Sequence, residues 1–361
     1  MQVVRPGSVA IFAILFLAAC AGTSPEPSVE TSLEPTLSAL PSATSEACPS
    51  VLTGEGSDPE PIAPPETVAD VTVVGHVELP SESMFVAASP DAIWATSPDG
   101  FLWRIDPATG QVADTVNLPD LGFARPAYGL GSVWVAEMES GRLVRLDPAN
   151  AAVQAEIQLD PADRPMAIAF TADDVLVANQ TANVVTVIDA ETNTVATEFD
   201  LSEGGEDRAP ASIATGEGVA WVVEHRADSL ATIDLATGSV TRTCIGTPDP
   251  GSLAAAGDLL WVADAGGVVS VVDRSTGSAL VRLGLPAVIA GELALDEDFV
   301  WVAGGSALVG IDIATRKVAA VGALGDLSAE RQFAGGASVA VHDDLWVTDP
   351  ASFGLLRLKP G

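Results

Sequence analysis

The chain has 361 residues, 48% of them apolar and only 5% aromatic, with 33 glycines and 25 prolines, a balance that suits many short strands joined by tight turns around a large core. Its 49 acidic against 16 basic residues give a formal net charge of −33. Such a field repels polyanions over long range, so nucleic acid and anionic lipid headgroups are poor partners for the surface as a whole.

From the start of the chain, Arg5 is the only early positive charge, and residues 9–19 are an uninterrupted run of apolar or small side chains. A run of that length is too short to span a bilayer and is expected to form the core of a signal peptide over residues 1–19. It closes on Leu17-Ala18-Ala19-Cys20, which resembles a bacterial lipobox. The resemblance implies cleavage before Cys20, lipidation of its thiol and acylation of the new amino group. Several acyl chains then anchor stably where a single chain binds only marginally. Residues 20–69 continue as an acidic segment rich in Pro, Ser and Thr, and no Lys or Arg occurs between Arg5 and Arg104. It cannot bury enough apolar surface to offset its ordering entropy, so a disordered tether is expected. Cys48 in the tether and Cys244 are the remaining thiols. In an oxidising compartment they are candidates for a disulfide that clips the tether to the folded part. Two thiolates without an adjacent histidine do not suggest a metal site.

Beyond residue 70 one phrase recurs. Trp94, Trp134, Trp221, Trp261, Trp301 and Trp346, with Leu176 in the same slot, stand about 40 to 45 residues apart. Asp106, Asp147, Asp189, Asp234, Asp273 and Asp312 keep step, with Lys359 last. A period of this size with several short apolar-alternating runs per copy predicts an all-β chain. Over residues 70–361 it reads as a seven-bladed β-propeller of four-stranded antiparallel blades. The copy at 211–215, 219–224, 230–235 and 240–245 shows the four strands plainly. Its first strand is made of small residues in every copy, as convergence on a central channel requires. The tryptophan of the second strand is expected between blades, where its large area is best used. Asp106-Pro107-Ala108-Thr109-Gly110 and its echoes at 234–238 and 273–277 read as hairpin turns, Asp accepting amide hydrogens and Gly supplying positive φ. The last copy lacks a fourth strand, while residues 71–79 form a strand without a blade. The N-terminal strand is therefore expected to complete the final blade and close the ring.

Gly131-Ser132-Val133-Trp134-Val135-Ala136 with Leu143-Val144-Arg145-Leu146-Asp147-Pro148, and residues 188–195, resemble the YVTN-type bacterial propeller repeat, whose superfamily also includes the virginiamycin B lyase group. The resemblance spans about residues 70 to 361 and implies an extracytoplasmic seven-bladed binding protein. Its lyase branch implies a magnesium-assisted ring opening by histidine and glutamate on the channel face. Here only His76, His225 and His342 exist, and Glu224 and His225 are adjacent, so strand alternation sends them to opposite faces.

Loops preceding each first strand should gather at the channel mouth, and they carry Arg125, Arg164, Arg208, Asp249, Glu292 and Arg331. Clustered guanidiniums in an acidic protein make a local positive well, with forked donors suited to carboxylate or phosphate. The four arginines are thus candidate ligand-binding residues, unless each pairs with a loop acid such as Asp120, Asp163, Glu206 or Asp207. The loops after the second strands add Glu137, Asn179, Gln180, Glu224, His225 and Asp264 to the expected rim. No Ser/His/Asp grouping, metal-ligand pair or phosphate-binding glycine loop occurs within one repeat. The sequence therefore favours a monomeric, non-catalytic, membrane-anchored lipoprotein without cofactor, binding a small anion or an envelope protein. The alternative is a metal-dependent lyase or hydrolase using Mg with Glu224 and His225.

Overall fold

Residues 60–61, 69–119, 122–202, 207–247, 249–285, 291–304, 307–324, 337–349 and 353–360 are described in a computed structural model, and all fall in the compact unit that begins at Ser45. Their strands are grouped in sheets by short antiparallel hairpins. The first sheet comprises Phe85–Ser89, Ala92–Thr96, Phe101–Ile105 and Val112–Asn117. The second is Ala124–Gly129, Ser132–Glu137, Arg142–Leu146 and Val153–Gln158, and the third Pro165–Phe170, Asp174–Asn179, Val184–Asp189 and Thr194–Asp200. Pro210–Gly216, Val219–Glu224, Ser229–Asp234 and Val240–Cys244 make the fourth. Pro250–Ala256, Leu259–Asp264, Val268–Asp273 and Ala279–Gly284 make the fifth. An eight-stranded sheet has two halves: Leu293–Leu295, Phe299–Gly304, Ala307–Asp312 and Lys317–Ala323, then Val339–Val341, Leu345–Thr348, Gly354–Pro360 and the N-terminal Ala69–Glu78.

One register recurs through all of them. Each repeat tryptophan, and Leu176 in its place, lies opposite an alanine of the first strand: Ala87, Ala127, Ala169, Ala214, Ala254, Ala294 and Ala340. Small inner partners leave room for the indoles to pack against the neighbouring sheet. Opposite Trp301 on the other side stands Gly310, where a Cβ would come within 2.6 Å of the ring. Trp94, Trp134, Trp261, Trp301 and Trp346 are fully buried.

The core is accordingly divided among the gaps between sheets. Trp94 packs with Val133 and Val144 of the second sheet, and Trp134 with Val175 and Ile188 of the third. Trp261 meets Val300 and Val309, and Trp301 meets Val347 and Leu358. Trp346 and Leu355 pack with Ile93 and Trp103 of the first sheet. The first strands contact each other in the same succession, ending with Val339–Val341 against Phe85–Ser89, so the series returns to its start.

The ends join as the sequence predicts. Residues 71–78 pair antiparallel with Gly354–Pro360, Val77 opposite Leu355. The same strand begins at Ala69 and pairs there in parallel with Ala320 and Val321, stitching the halves of the eight-stranded sheet together. Part of the expected tether is also ordered: Glu60–Pro61 runs parallel to Leu283 and Gly284 on the outer edge of the fifth sheet. An outermost strand presents unpaired backbone groups, and a nearby extended segment satisfies them regardless of its composition. The rest of the proposed tether, residues 20–59 and 62–68, and the signal segment lie outside the described residues. Cys244 is disulfide-bonded. The other two cysteines, Cys20 and Cys48, also lie outside the described residues.

Turn chemistry fixes the hairpins. Leu130 and Gly131 form the two-residue loop between paired Gly129 and Ser132, with φ of 53° and 69°. Such a loop needs positive φ at both positions. At the turns between third and fourth strands, Asp234 accepts from the amides of Ala236 and Thr237 at 3.0 and 2.8 Å, and Gly238 has a φ of 72°. The Thr237 amide, then its hydroxyl and the Ala236 amide, hold the Asp234 carboxyl below the usual carboxylate range. The native state thus binds fewer protons than the unfolded chain. The turn's contribution is complete above the unfolded pKa of about 3.9 and is lost as pH falls through the lower native value. Asp234→Ala should therefore lower the urea midpoint at neutral pH, and the gap from the parent should narrow progressively below about pH 4.

Candidate functional site

At one end of the sheets the residue before a first strand is locked to the loop after the second strand. Arg164, Ala209 and Asp249 each precede a proline and adopt a left-handed backbone, with φ of 55°, 51° and 49°. Their carbonyls accept from the amides of Gln180 at 3.0 Å, His225 at 3.1 Å and Ala265 at 3.4 Å. Non-glycine residues are held in this region only where surrounding bonds impose it. The repeated lock brings Arg164 with Gln180, His225, and Asp249 with Ala265 onto one wall.

These residues line a cavity of about 330 Å³ together with Arg125, Glu292 and Ser252. Phe85, Phe123, Met138 and Met166 supply its apolar side. The two rings lie 6.4 Å apart and tilted, and the Arg125 guanidinium sits 4.5 Å over the Phe85 ring. Arg125 donates from Nη1 to Glu292 Oε1, while its Nε is buried without a hydrogen-bond partner. The Glu292 carboxylate also accepts from the Ser338 hydroxyl, whose oxygen receives the Val86 amide at 3.0 Å. Preceding Glu292, Gly291 admits no side chain: a Cβ there would stand 1.5 Å from the Ala303 carbonyl oxygen. Arg164 donates to the Met138 sulfur at 3.0 Å and has no carboxylate partner among the described residues. His225 Nδ1 lies 3.3 Å from the Pro250 carbonyl oxygen.

Arg125, Arg164, Gln180, His225, Asp249 and Glu292 thus come together as their loop positions predict. Arg331, the fourth candidate arginine, lies outside the described residues. Arg208 does not line the cavity. It is 3% exposed, with Nη1 3.5 Å from Glu224 Oε2. It sits one position before Ala209, in register with Asp163 rather than Arg164, so it faces the other way. Asn183 Oδ1 holds that turn through the Arg208 and Ala209 amides at 2.9 and 3.0 Å.

Glu137, Asn179, Glu224 and Asp264 also leave the expected rim, all being at most 1% exposed. As last residues of second strands they turn into the sheets. Glu137 accepts from Arg142 Nε at 2.7 Å and from the Ser140 hydroxyl at 2.6 Å. Burial raises the Asp264 carboxyl above the usual range against hydrogen bonds from the Val268 and Gly266 amides. Glu224 accepts from Arg242 Nε at 3.1 and 3.2 Å and from the Ser229 hydroxyl. Glu224 and His225, the pair of the lyase alternative, are therefore parted, one in a buried ion network and the other on the cavity wall. Among the described residues no three His, Cys, Asp or Glu side chains are grouped to hold a metal ion.

The apolar wall escaped the sequence reading. Its signal was the neighbourhood of the arginines: Phe123 and Met166 each lie two residues from Arg125 or Arg164 in the same pre-strand segments. Other arginines are engaged between sheets. Arg104 reaches the Pro148 carbonyl at 3.0 Å, Arg145 that of Ala190 at 2.6 Å and Arg282 that of Ile245 at 2.7 Å.

The fold is shared with solved β-propeller proteins. A streptogramin B lyase structure matches with a TM-score of 0.68 at 16% identity, covering 81% of this chain and 98% of that one. Virginiamycin B lyase from Staphylococcus aureus gives 0.65 at 14%, covering 80% and 98%. BamB from Moraxella catarrhalis gives 0.56 at 15%, covering 81% and 100%. No protein-family model matches the chain, and no curated protein matches it in sequence.

Because the buried Glu224 carboxylate pairs with both Arg208 and Arg242, Glu224→Ala should destabilise the fold by about 3–5 kcal/mol. The fall would be read from the urea unfolding midpoint.

Proposed function

We propose that the chain is an extracytoplasmic lipoprotein whose monomeric, non-catalytic β-propeller binds a small anionic ligand, or the acidic tip of an envelope protein, at the channel mouth. Each half of the eight-stranded sheet counts as one blade, which makes seven, and the N-terminal strand completes the last. The hydrophobic run over residues 9–19 and the Leu17-Ala18-Ala19-Cys20 tetrapeptide support the lipid anchor. With the Cys20 thiol lipidated, Cys48 is the partner left for Cys244, and the bond would hold the leading segment against the fourth blade.

One observation carries the ligand reading. In a protein of net charge −33, two arginines, a histidine and an amide converge with an apolar wall on one cavity of about 330 Å³. Binding pockets combine apolar walls with a few convergent polar groups in this way. The two guanidiniums offset the Glu292 and Asp249 carboxylates of the same cavity, and in so acidic a protein a site that carries no net negative charge is where an anion is least repelled. Of the loop acids named above, Asp207 pairs with Arg226 and Asp163 makes no ion pair with Arg164; Arg125 pairs with Glu292, and Arg164 has no carboxylate partner among the described residues.

The test uses anilinonaphthalene sulfonate, an anion with an apolar body whose fluorescence rises on burial. The parent should bind it saturably, and Arg125→Ala/Arg164→Ala should weaken binding at least about tenfold, equivalent to about 1.4 kcal/mol. Equal affinity in the two proteins, or no saturable binding by the parent, would overturn the reading. Cys20→Ser should move the protein from the membrane to the soluble fraction of its host.

A further inference from the structure

We infer that the mouth is built for a carboxylate carried on a flat apolar group, and that Glu292 is its internal competitor. The inference rests on the ligand-binding reading above and narrows it to one chemistry.

Arg125 and Arg164 both reach the cavity, yet among the described residues only Arg125 has a carboxylate partner, Glu292. Asp249, which also lines the cavity, lies within ion-pair distance of neither arginine. Arg164 is left with a thioether sulfur, a weak acceptor for a guanidinium. Arg125 gives Glu292 one nitrogen and keeps its Nε buried without any acceptor. A buried donor of that kind is rare in folded proteins, and it commonly marks a place where water or a ligand completes the bonding. The site therefore holds more forked donors than its own acids satisfy.

The body of the ligand follows from what adjoins those donors. Phe85 stacks under the Arg125 guanidinium, and Phe123 with Met138 and Met166 extends the apolar surface. A planar apolar group fits rings and thioethers, both of which accept flat partners by edge and face. A phosphate or sulfate would use the donors and leave this wall wet, whereas an aryl or acyl carboxylate uses both.

Glu292 resembles a bound carboxylate in its present role. It reaches from the eight-stranded sheet to Arg125 of the second sheet, and it is steadied by Ser338 and by the close approach of Gly291 to the Ala303 carbonyl. An incoming carboxylate competes with it for the same guanidinium. Removing the charge on Glu292 frees the donors without removing the Ser338 contact, because an amide oxygen still accepts.

The experiment compares N-acetyl-phenylalanine with its neutral amide, N-acetyl-phenylalaninamide, by calorimetric titration. The parent should bind the carboxylate at least about tenfold more tightly than the amide, a difference of about 1.4 kcal/mol. Glu292→Gln should tighten the carboxylate further and leave the amide unchanged, while Arg164→Gln should shrink the gap between the two probes. Equal affinity for the two probes in the parent, or a Glu292→Gln protein that melts like the parent and shows no gain, would overturn the inference. If Glu292→Gln does not fold, the Arg164→Gln arm decides it: an unchanged gap overturns it and a reduced gap supports it. Saturable dye binding that depends on the arginines, together with equal affinity for the two probes, would sink the carboxylate assignment and leave the broader reading standing.

Discussion

An indole laid against an alanine is the contact from which the rest of the structure follows. Every second strand but that of the third sheet, where Leu176 stands, carries a tryptophan on one side, and the alanine opposite removes the bulk that would hold the next sheet away. The apolar surface is too large to leave in water, since burying one such side chain fully is worth about 3 kcal/mol or more. No sheet can cover its own face, so stability is distributed over gaps between neighbours and requires the series to close. The first strands then crowd together, and the loops before them are forced towards a common centre. The cavity is a by-product of that convergence.

Arginine use shows how the site stands apart from the scaffold. Guanidiniums such as Arg104, Arg145, Arg242 and Arg282 reach across a gap to a backbone carbonyl, and Arg142 and Arg242 also neutralise the buried Glu137 and Glu224. They are fasteners, long enough to span two sheets and always charged. Arg164 is different because its backbone is held left-handed by the Gln180 amide and its side chain ends at a sulfur atom. In an acidic protein with so few cations, a guanidinium left in that situation stands outside the economy of the fold.

Period and position made the architecture legible. The tryptophan spacing located the sheets, and the small-residue runs located their inner strands. The pairing of residues 71–78 with Gly354–Pro360 followed from a missing strand at one end and an extra one at the other. Loop class also brought Arg125, Arg164, Gln180, His225, Asp249 and Glu292 together. What it could not resolve was direction within a loop. Arg208 and Arg164 lie one step apart in register, and a single step reverses a side chain. Glu224 and Asp264 close their strands and turn inward, a matter of pleat rather than of loop membership. The pairing of Glu60–Pro61 was equally hidden, because an open sheet edge selects a partner by proximity and backbone, with little regard to side chains.

The closure of first strand on last has a temporal consequence. The partner of Ala69–Glu78 is Gly354–Pro360, which follows the intervening sheets in the chain, so the early segment must wait for all of them with one edge unmet. Contacts of such long sequence separation form late and slowly, because their chain entropy must be surrendered before any pairing compensates it. Until Gly354–Pro360 arrives, the molecule is a string of partly covered sheets, and its hazard is the same edge in another copy.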